Sequence, residues 1–153
     1  MANPYTIVQT QAQTTAAIRL IIPRLEIRQH MEPAIAELMS TLAAQGIAPS
    51  GPLFTLHFRL DPDIFDFEVG IPVNTPVVAS HRVIGSQLPA CRVARTIYRG
   101  QYERLGAAWG DFKAQIAADS LPEAAGLWES YVVGPESTLD STQWQTELNC
   151  PVK

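Results

Sequence analysis

The sequence predicts an α+β fold built from two copies of a strand-helix-strand-strand unit. Three observations support this prediction. The same order of apolar-periodic segments occurs twice along the 153 residues. Residues 67–73, FEVGIPV, align with residues 146–152, TELNCPV. Gly- and Pro-rich turns separate the segments at corresponding places in both halves. Internal duplication therefore determines the predicted architecture.

The first half begins with a predicted strand over residues 5–22, which are rich in Thr, Ile, Val and Gln and end before Pro23. A helix is predicted over residues 29–45, because its apolar residues recur at spacings of four, three and four. Pro33 fits this helix in the first turn, where no backbone N–H is needed. Gly46 ends the helix. The apolar stripe comprises Met31, Ile35, Leu38 and Leu42.

Two strands follow this helix. Residues 49–52, Pro-Ser-Gly-Pro, form a turn, and a strand is predicted over residues 53–59. The turn Asp-Pro-Asp at residues 61–63 leads to a second strand over residues 64–73. The first half therefore has the order strand, helix, strand, strand.

The second half repeats this order. A strand over residues 92–99 ends at Gly100, and a helix follows over residues 102–118. Two further strands are predicted over residues 127–133 and 143–150, separated by a longer turn than in the first half. The apolar stripe of this helix comprises Tyr102, Leu105, Trp109, Phe112 and Ile116.

The duplication predicts how the halves assemble. One helix cannot cover a sheet of three or four strands, so we expect two units side by side about a pseudo-twofold axis. They would form one antiparallel sheet with both helices on one face and a ligand groove where the units meet. We expect a single domain over residues 1–153, with repeats over about residues 5–75 and 77–152.

The composition is that of a globular protein that does not bind nucleic acid. Hydrophobic residues make up 46% and charged residues 17% of the chain. Eleven Lys and Arg against fifteen Asp and Glu give a net charge of −4, without a basic cluster. Because phosphate neutralisation supplies most of the affinity for nucleic acid, the sequence argues against direct binding to DNA or RNA.

Neither a metal site nor a cofactor motif is predicted. Cys91 and Cys150 lack metal-ligand spacing and are expected to be reduced. His30, His57 and His81 fall on three different elements. The sequence contains no Gly-rich phosphate loop and no zinc-protease pattern. It also lacks a signal-peptide pattern and an apolar run long enough to span a membrane, so we expect a cytoplasmic protein.

The strand over residues 127–133 carries an unusual acid. Glu129 lies in the middle of this apolar strand, and the alternation of side chains puts it on the same face as Tyr131. One interpretation is an ion pair with Arg95 or Arg99, or an exposed position. The other is a buried acid on the floor of an aromatic pocket, which would attract a cation or act as a general acid or base.

The repeat alignment adds two candidates from the first half. Residues 51–57 align with residues 125–131, which places Thr55 and His57 at the positions of the acid and the tyrosine of the second half. If the pseudo-twofold axis is real, all four side chains approach one another at the groove. The alternative for His57 is a structural or half-exposed histidine.

Three aromatic residues of the second half are further candidates for lining the groove. Trp109 and Tyr102 lie on the inward stripe of the second helix, where the alternative is a plain helix-on-sheet core. Tyr98 ends a strand just before Gly100, where its hydroxyl can reach a cleft.

The chain resembles the GyrI-like small-molecule-binding domains. These are the effector-binding domains of many AraC- and MerR-type transcription regulators, and they also occur as stand-alone proteins. The resemblance extends over residues 5–152, and its motifs are short but occur in the family's order. The motifs are GPLF at residues 51–54, FEVGIPV at 67–73, YRGQY at 98–102, WESY at 128–131, WQTEL at 144–148 and PV at 151–152.

The resemblance implies that Glu129 is the polar anchor for cationic or aromatic ligands, with Tyr131 and Trp109 as walls. His57 stands where the family pattern often has Tyr, so a titratable ring replaces a phenol. The sequence places no helix-turn-helix before residue 5 or after residue 152. The resemblance therefore implies a sensor or a sequestering protein, or a regulator that needs a partner.

Three functions remain open at this point. The first is a stand-alone binding module for a small aromatic or cationic molecule. The second is a hydrolase: some stand-alone members of the family are similar to hydrolases that open cyclopropane rings, with Glu129 and Tyr131 as the catalytic pair here. The third is a protein-interaction role such as gyrase inhibition. A homodimer or a protein partner is compatible with each.

Overall fold

The structure is a computed structural model that describes residues 4–153, except for the side chain of Leu60. The chain divides into two compact units. One comprises residues 11–90, and the other combines the N-terminal residues up to Thr10 with residues 91–153. In chain order the elements are β1 (Thr6–Gln9), β2 (Gln13–Pro23), α1 (Ile27–Ala44), β3 (Phe54–Leu60), β4 (Ile64–Pro72), β5 (Val83–Leu88), β6 (Arg92–Arg99), α2 (Leu105–Ala118), β7 (Leu127–Val133) and β8 (Gln145–Pro151).

The unit of residues 11–90 has the strand order β3-β4-β2-β5, and each neighbouring pair is antiparallel. α1 packs against β2 and β4 through one buried stripe, as the spacing of its apolar residues predicts. Gly46 follows α1 with a φ of 68°, a left-handed conformation that favours glycine and ends the helix. The core between helix and strands includes Ile18, Leu20, Leu38, Leu42, Phe67 and Val69.

The position of Pro33 differs from the expectation. α1 begins at Ile27 after a short 3-10 turn at Arg24–Glu26, so Pro33 lies in the second turn of the helix and not in the first. Proline has no backbone N–H, so the carbonyl of Gln29 loses its partner within the helix. The helix continues because its buried face outweighs this local cost.

The other unit has the strand order β1-β6-β8-β7, again antiparallel throughout. A 3-10 turn at Tyr102–Arg104 leads into α2, whose buried residues are Trp109, Phe112 and Ile116. Strand residues Leu127 and Leu148 complete the core against this helix.

The strand registers confirm the repeat alignment. In one unit Thr55 pairs with Val69, and in the other Glu129 pairs with Leu148. The offset of 74 residues between Thr55 and Glu129, and of 79 between their partners, is that of the sequence alignment. A β-bulge follows His57 in β3, and a corresponding bulge follows Tyr131 in β7.

The α+β class and the two strand-helix-strand-strand copies are confirmed, with two differences. The single strand expected over residues 5–22 is two strands, β1 and β2. A strand that the sequence did not predict, β5, pairs with β2, so each unit has four strands. β5 escaped prediction because it is an edge strand with a single buried residue, Val83, and a central Gly and Ser. No helix of residues 4–153 is long and apolar enough to cross a membrane.

The unit boundaries differ from the expected repeat ranges because β1 pairs with β6, far along the chain. The single-domain assignment and the groove between repeats remain predictions.

Gly70→Ala tests the packing of the unit of residues 11–90. A Cβ at Gly70 would lie 2.6 Å from Cζ of Phe54 and 2.9 Å from the carbonyl oxygen of Ala16. We expect the substitution to lower the free energy of unfolding by about 1–3 kcal/mol, because a closely packed core cannot accept the methyl group without a shift. Urea denaturation followed by circular dichroism measures this change.

Gly85→Ala is the matched control. Gly85 lies in β5, and its added Cβ would meet nothing within 4 Å. We expect its stability to stay within about 0.5 kcal/mol of the wild type. Equal stability of the two variants would contradict the packing argument.

Candidate functional site

The centre of the candidate site is the buried carboxyl group of Glu129. β7 carries this residue on the face that packs against α2, and its side chain is 9% exposed. Nε1 of Trp109 donates a hydrogen bond of 2.6 Å to Oε1, and the hydroxyl of Tyr131 donates one of 2.7 Å to Oε2. Each carboxyl oxygen therefore has one neutral donor, and no ion pair involves Glu129 among residues 4–153.

The local sequence explains this geometry. Residues two apart on a strand share a face, so Tyr131 lies beside Glu129 and its hydroxyl reaches the carboxyl group. Trp109 faces the strands because it belongs to the buried stripe of α2. An indole ring in this position contributes apolar packing and one N–H donor.

The alternative of an ion pair with Arg95 or Arg99 is wrong. Nε of Arg95 lies 2.7 Å from Oδ1 of Asn149 and 3.4 Å from Oε1 of Glu147. Arg99 is exposed at the end of β6 and forms no ion pair with a described residue. The acid of β7 is therefore buried without a cationic partner.

Burial raises the pKa of Glu129 above its ordinary value of 4.5. The hydrogen bonds from Tyr131 and Trp109 act in the opposite direction, because they stabilise the charged form. Desolvation is the larger of these effects. A cation brought next to the carboxyl group would favour ionisation and reverse the shift.

A row of aromatic rings extends from the carboxyl group. The ring of Tyr102 meets that of Tyr131 edge to face, with centroids 5.7 Å apart. It also stacks on Trp144 at 4.9 Å, with an angle of 30° between the planes. Nε1 of Trp144 donates a hydrogen bond of 2.9 Å to the carbonyl of Thr138 in the β7–β8 loop. The loop thereby fixes the outer ring of the row.

A second acid lies near the same row. Burial is the largest cause of the raised pKa of Tyr102, and the negative charges of Glu136 and Glu129 raise that pKa further. A Cβ at Gly134 would lie 2.8 Å from Oε2 of Glu136 and 2.9 Å from the hydroxyl of Tyr102. The loop, the acid and the phenol therefore approach one another closely at Gly134. Two carboxyl groups therefore lie near the aromatic row.

The sequence analysis named four of these residues as candidates and did not name two. Glu129 and Tyr131 were candidates from their strand positions, and Trp109 and Tyr102 from the stripe of the second helix. Tyr102 lies instead in the 3-10 turn that precedes α2. Trp144 belongs to the WQTEL motif. The longer turn before it was the one feature of the sequence that could have indicated a role for Trp144 in the site. Glu136 carried no signal, because its position depends on the path of the loop.

Tyr98 does not join this group. Its hydroxyl donates a hydrogen bond of 2.7 Å to the carbonyl of Gln101. It lines a different cleft, between β6 and α2.

Thr55 and His57 lie in β3, in the unit of residues 11–90. The His57 ring stacks on Phe67 with centroids 5.1 Å apart and meets Phe65 edge to face at 5.5 Å. Burial, with a smaller contribution from Arg24, lowers the pKa of His57 to about 4, so the ring is neutral at pH 7. The expected approach of both residues to the acid of β7 remains a prediction.

The geometry forms an acidic site lined by aromatic rings. Within residues 4–153, no three His, Cys, Asp or Glu side chains are grouped so that they could hold a metal ion. A buried carboxyl beside aromatic faces is suited to an organic cation, which gains both charge pairing and cation–π contact.

Several solved structures share the fold. The C-terminal domain of EcmrR matches with a TM-score of 0.87 and 21% identity, over 100% of this chain and 99% of that one. EcmrR in its complex with DNA matches with a TM-score of 0.87 and 22% identity. The match covers 100% of the present chain and 58% of the EcmrR chain.

Two other structures are more distant. SAV2435 bound to tetraphenylphosphonium has a TM-score of 0.67 and 14% identity, over 98% of this chain and 94% of that one. A hydrolase from Listeria innocua has a TM-score of 0.68 and 10% identity, over 99% and 93%. At these identities the likeness shows the fold alone.

No curated protein matches the chain. The sequence profile of the GyrI-like small-molecule-binding domain matches residues 3–153, almost the whole chain. The resemblance in the sequence motifs is thereby confirmed, and the chain belongs to the family of GyrI-like small-molecule-binding domains.

Proposed function

We propose that the protein binds a small organic cation with aromatic surface, and that it acts as a sensor or a sequestering protein for such molecules. The observation that carries this proposal is the carboxyl group of Glu129, buried with two neutral donors and no cationic partner. A ligand cation would supply the missing charge.

Charge pairing explains why a cation is preferred. An ionised carboxyl group that is removed from water is unfavourable unless a positive charge compensates for it. Two hydrogen bonds compensate in part, and the raised pKa of Glu129 shows that they do not compensate fully. A positively charged ligand would offset the remaining desolvation energy of the carboxylate and would bind more tightly for that reason. A neutral ligand of the same shape would not.

The aromatic row explains why the ligand should carry rings or a diffuse charge. The faces of Tyr102, Tyr131 and Trp144 offer cation–π contacts, each worth about 0.5–2 kcal/mol depending on desolvation. Ring stacking adds apolar contact at little cost in side-chain entropy, because hydrogen bonds already fix Tyr131 and Trp144. SAV2435, which shares the fold, was solved with tetraphenylphosphonium, an aromatic cation.

A role in regulation is proposed by comparison with EcmrR, which shares the fold. In the structure of EcmrR in complex with DNA, this fold accounts for 58% of the EcmrR chain. We propose that this chain senses or sequesters its ligand in the cytoplasm and does not itself contact nucleic acid. Any effect on transcription would then pass through a partner or a second copy.

Hydrolysis is a second candidate, favoured by the bond between Glu129 and Tyr131. A carboxyl group with a raised pKa is a better proton donor to a substrate than one that stays ionised, and the phenol can stabilise a developing charge. A fold neighbour from Listeria innocua is a hydrolase. We rank this candidate second because Trp109 and Tyr131 each already occupy one acceptor position of the carboxyl group, which leaves fewer positions for orienting a water molecule.

Glu129→Gln tests the charge pairing. We expect the Kd for tetraphenylphosphonium, measured by quenching of tryptophan fluorescence, to rise about 10- to 100-fold, since a buried charge pair loses one partner. The amide has nearly the same shape, and Tyr131 can reorient its hydroxyl to accept from it, so the fold should persist.

The matched control for this variant is Glu123→Gln. It removes one carboxylate from the same unit, where Glu123 pairs with Lys113 at 2.6 Å. We expect its Kd to stay within twofold of the wild type. An equal loss in both variants would mean that overall charge, and not the site, determines affinity.

Binding should depend on pH through Glu129. The cation requires the ionised carboxyl group, so its affinity should rise as the pH increases through the raised pKa, beginning above the ordinary value of 4.5. Binding near that pKa should release a proton, because the cation lowers it again. Calorimetry in two buffers of different ionisation enthalpy measures the release. Affinity that is flat with pH, or that varies equally in Glu129→Gln, would contradict the proposal.

Stability of the free protein should change in the opposite sense. A raised pKa means that the folded state holds the proton more tightly than the unfolded chain, so this stabilisation is complete below the unfolded value and is lost as the pH rises through the folded one. We expect Glu129→Gln to remove this part of the pH dependence in urea denaturation. The same slope in both proteins would contradict a raised pKa.

Turnover separates the two candidate functions. Incubation with an electrophilic cyclopropane and mass spectrometry should show no addition of water above the uncatalysed rate. A product that forms with the wild type and not with Glu129→Gln or Tyr131→Phe would establish hydrolysis instead.

A further inference from the structure

A second cleft, of about 290 Å³, lies between α2 and β6. None of the residues that form the site around Glu129 lines it. Its floor is apolar, formed by buried Phe112 and Leu148. Its lining residues are Thr96, Tyr98, Arg99, Arg104, Ala107, Ala108, Asp111, Phe112, Gln115 and Leu148.

Two arginine side chains of the cleft are uncommitted. Arg99 at the end of β6 and Arg104 just before α2 are exposed, and neither guanidinium group has an ion pair or a hydrogen bond with the part of the chain that the structure describes. A guanidinium group presents a planar fork of donors that matches a carboxylate. The two arginines therefore favour an anionic group at the mouth of the cleft.

One residue that lines the cleft carries a polar atom without a partner. Oε1 of Gln115 is buried and accepts no hydrogen bond in residues 4–153. A buried acceptor without a partner is unfavourable, and a ligand N–H or O–H would satisfy it once the side-chain amide rotates toward the cleft. Asp111, one turn earlier on α2, also lines the cleft and forms no ion pair with a described residue. It would attract a protonated amine.

The other polar groups of the cleft are already engaged. The hydroxyl of Thr96 donates to the carbonyl of Pro4 at 2.8 Å, and that of Tyr98 donates to the carbonyl of Gln101 at 2.7 Å. The groups that remain available are thus two cations, one anion and one buried amide oxygen above an apolar floor.

We propose that this cleft binds a small carboxylic acid that carries an apolar body and an amine, the chemistry of an apolar amino acid. The carboxylate pairs with Arg99 and Arg104, the amine faces Asp111 and Gln115, and the apolar body packs on Phe112 and Leu148. The volume is at the lower end of the range for ligand sites, which suits a molecule of this size. This site shares no residue with the cation site at Glu129, although Phe112 packs on Trp109 with ring centroids 5.8 Å apart.

Amide chemical shifts in ¹H–¹⁵N NMR test the proposal with three probes. Phenylalanine carries both charges, 3-phenylpropionate lacks the amine, and phenethylamine lacks the carboxylate. We expect phenylalanine to shift the amides of Thr96, Phe112 and Gln115 most strongly, and 3-phenylpropionate to bind at least threefold more weakly. Phenethylamine should act on the amide of Tyr131, and only while Glu129 is present.

Substitutions locate the binding groups. Arg99→Gln and Arg104→Gln should each weaken phenylalanine binding at least fivefold, and Asp111→Asn should abolish the preference over 3-phenylpropionate. Arg92→Gln removes the same charge from an exposed arginine of β6 that does not line the cleft, and should change nothing. Glu129→Gln should also leave phenylalanine binding unchanged.

Filling the cleft provides a check that does not depend on charge. Ala107 is exposed at the cleft, so Ala107→Trp should fold and should block phenylalanine. The proposal is overturned if phenylalanine at millimolar concentration shifts no cleft amide, if Arg92→Gln weakens binding as much as Arg99→Gln, or if Ala107→Trp leaves binding intact. None of these outcomes affects the cation site, whose test is Glu129→Gln with tetraphenylphosphonium.

Discussion

A carboxyl group buried between one indole and one phenol, without a cation, is the constraint on which the candidate site depends. Two other acids of the described chain are buried. Glu68, 5% exposed, accepts a hydrogen bond of 2.8 Å from Oγ of Ser86, whereas Asp66 forms ion pairs. Asp66, 7% exposed, contacts Arg19 at 2.7 Å and Arg59 at 3.2 Å, and these contacts lower its pKa. Glu129 has a similar exposure and the opposite pKa shift. The partners differ, and Glu129 is also the more strongly desolvated of the two, because burial is the largest influence on its pKa whereas Arg19 is the largest influence on the pKa of Asp66.

This contrast bears on function. Arg95 lies on β6 in the same unit, and its guanidinium group contacts Glu147 and Asn149 of β8. Glu129, on the face of β7 that packs on α2, has no cationic partner among the described residues. An acid buried in this way lowers stability, and a cationic ligand, as proposed, would offset part of that loss.

The sequence predicted the centre of the site because simple periodicities determine it. A period of two on β7 places Glu129 with Tyr131, and the helical period of α2 turns Trp109 toward them. Trp144 and Glu136 depend instead on a loop whose path is fixed by contacts such as the bond from Trp144 to Thr138, which no periodicity encodes. β5 also lacks a periodic signal, because it is an edge strand with one buried residue.

The arginine alternative for Glu129 failed for a related reason. Spacing along the chain gives the face of a strand, but it does not give which of two acids an arginine on a neighbouring strand will contact. That choice depends on the register between β6 and β8, where Arg95 pairs with Asn149. Register is set by the whole buried face and by the turns, so a local reading of the sequence cannot supply it.

The two repeats share their geometry and differ in their electrostatics. Register and bulge place His57 in its unit at the position that Tyr131 has in the other. Burial against Phe67 holds the pKa of His57 at about 4, so at pH 7 the ring carries no charge, as a phenol would carry none. The replacement of the Tyr that is frequent in the family therefore preserves neutrality at this position. Thr55 likewise stands as a neutral residue where the other repeat has Glu129, so duplication has left the acid in one copy alone. A site whose acids lack a cationic partner selects ligands by the sign of their charge, while the aromatic rings around it tolerate variation in ligand shape.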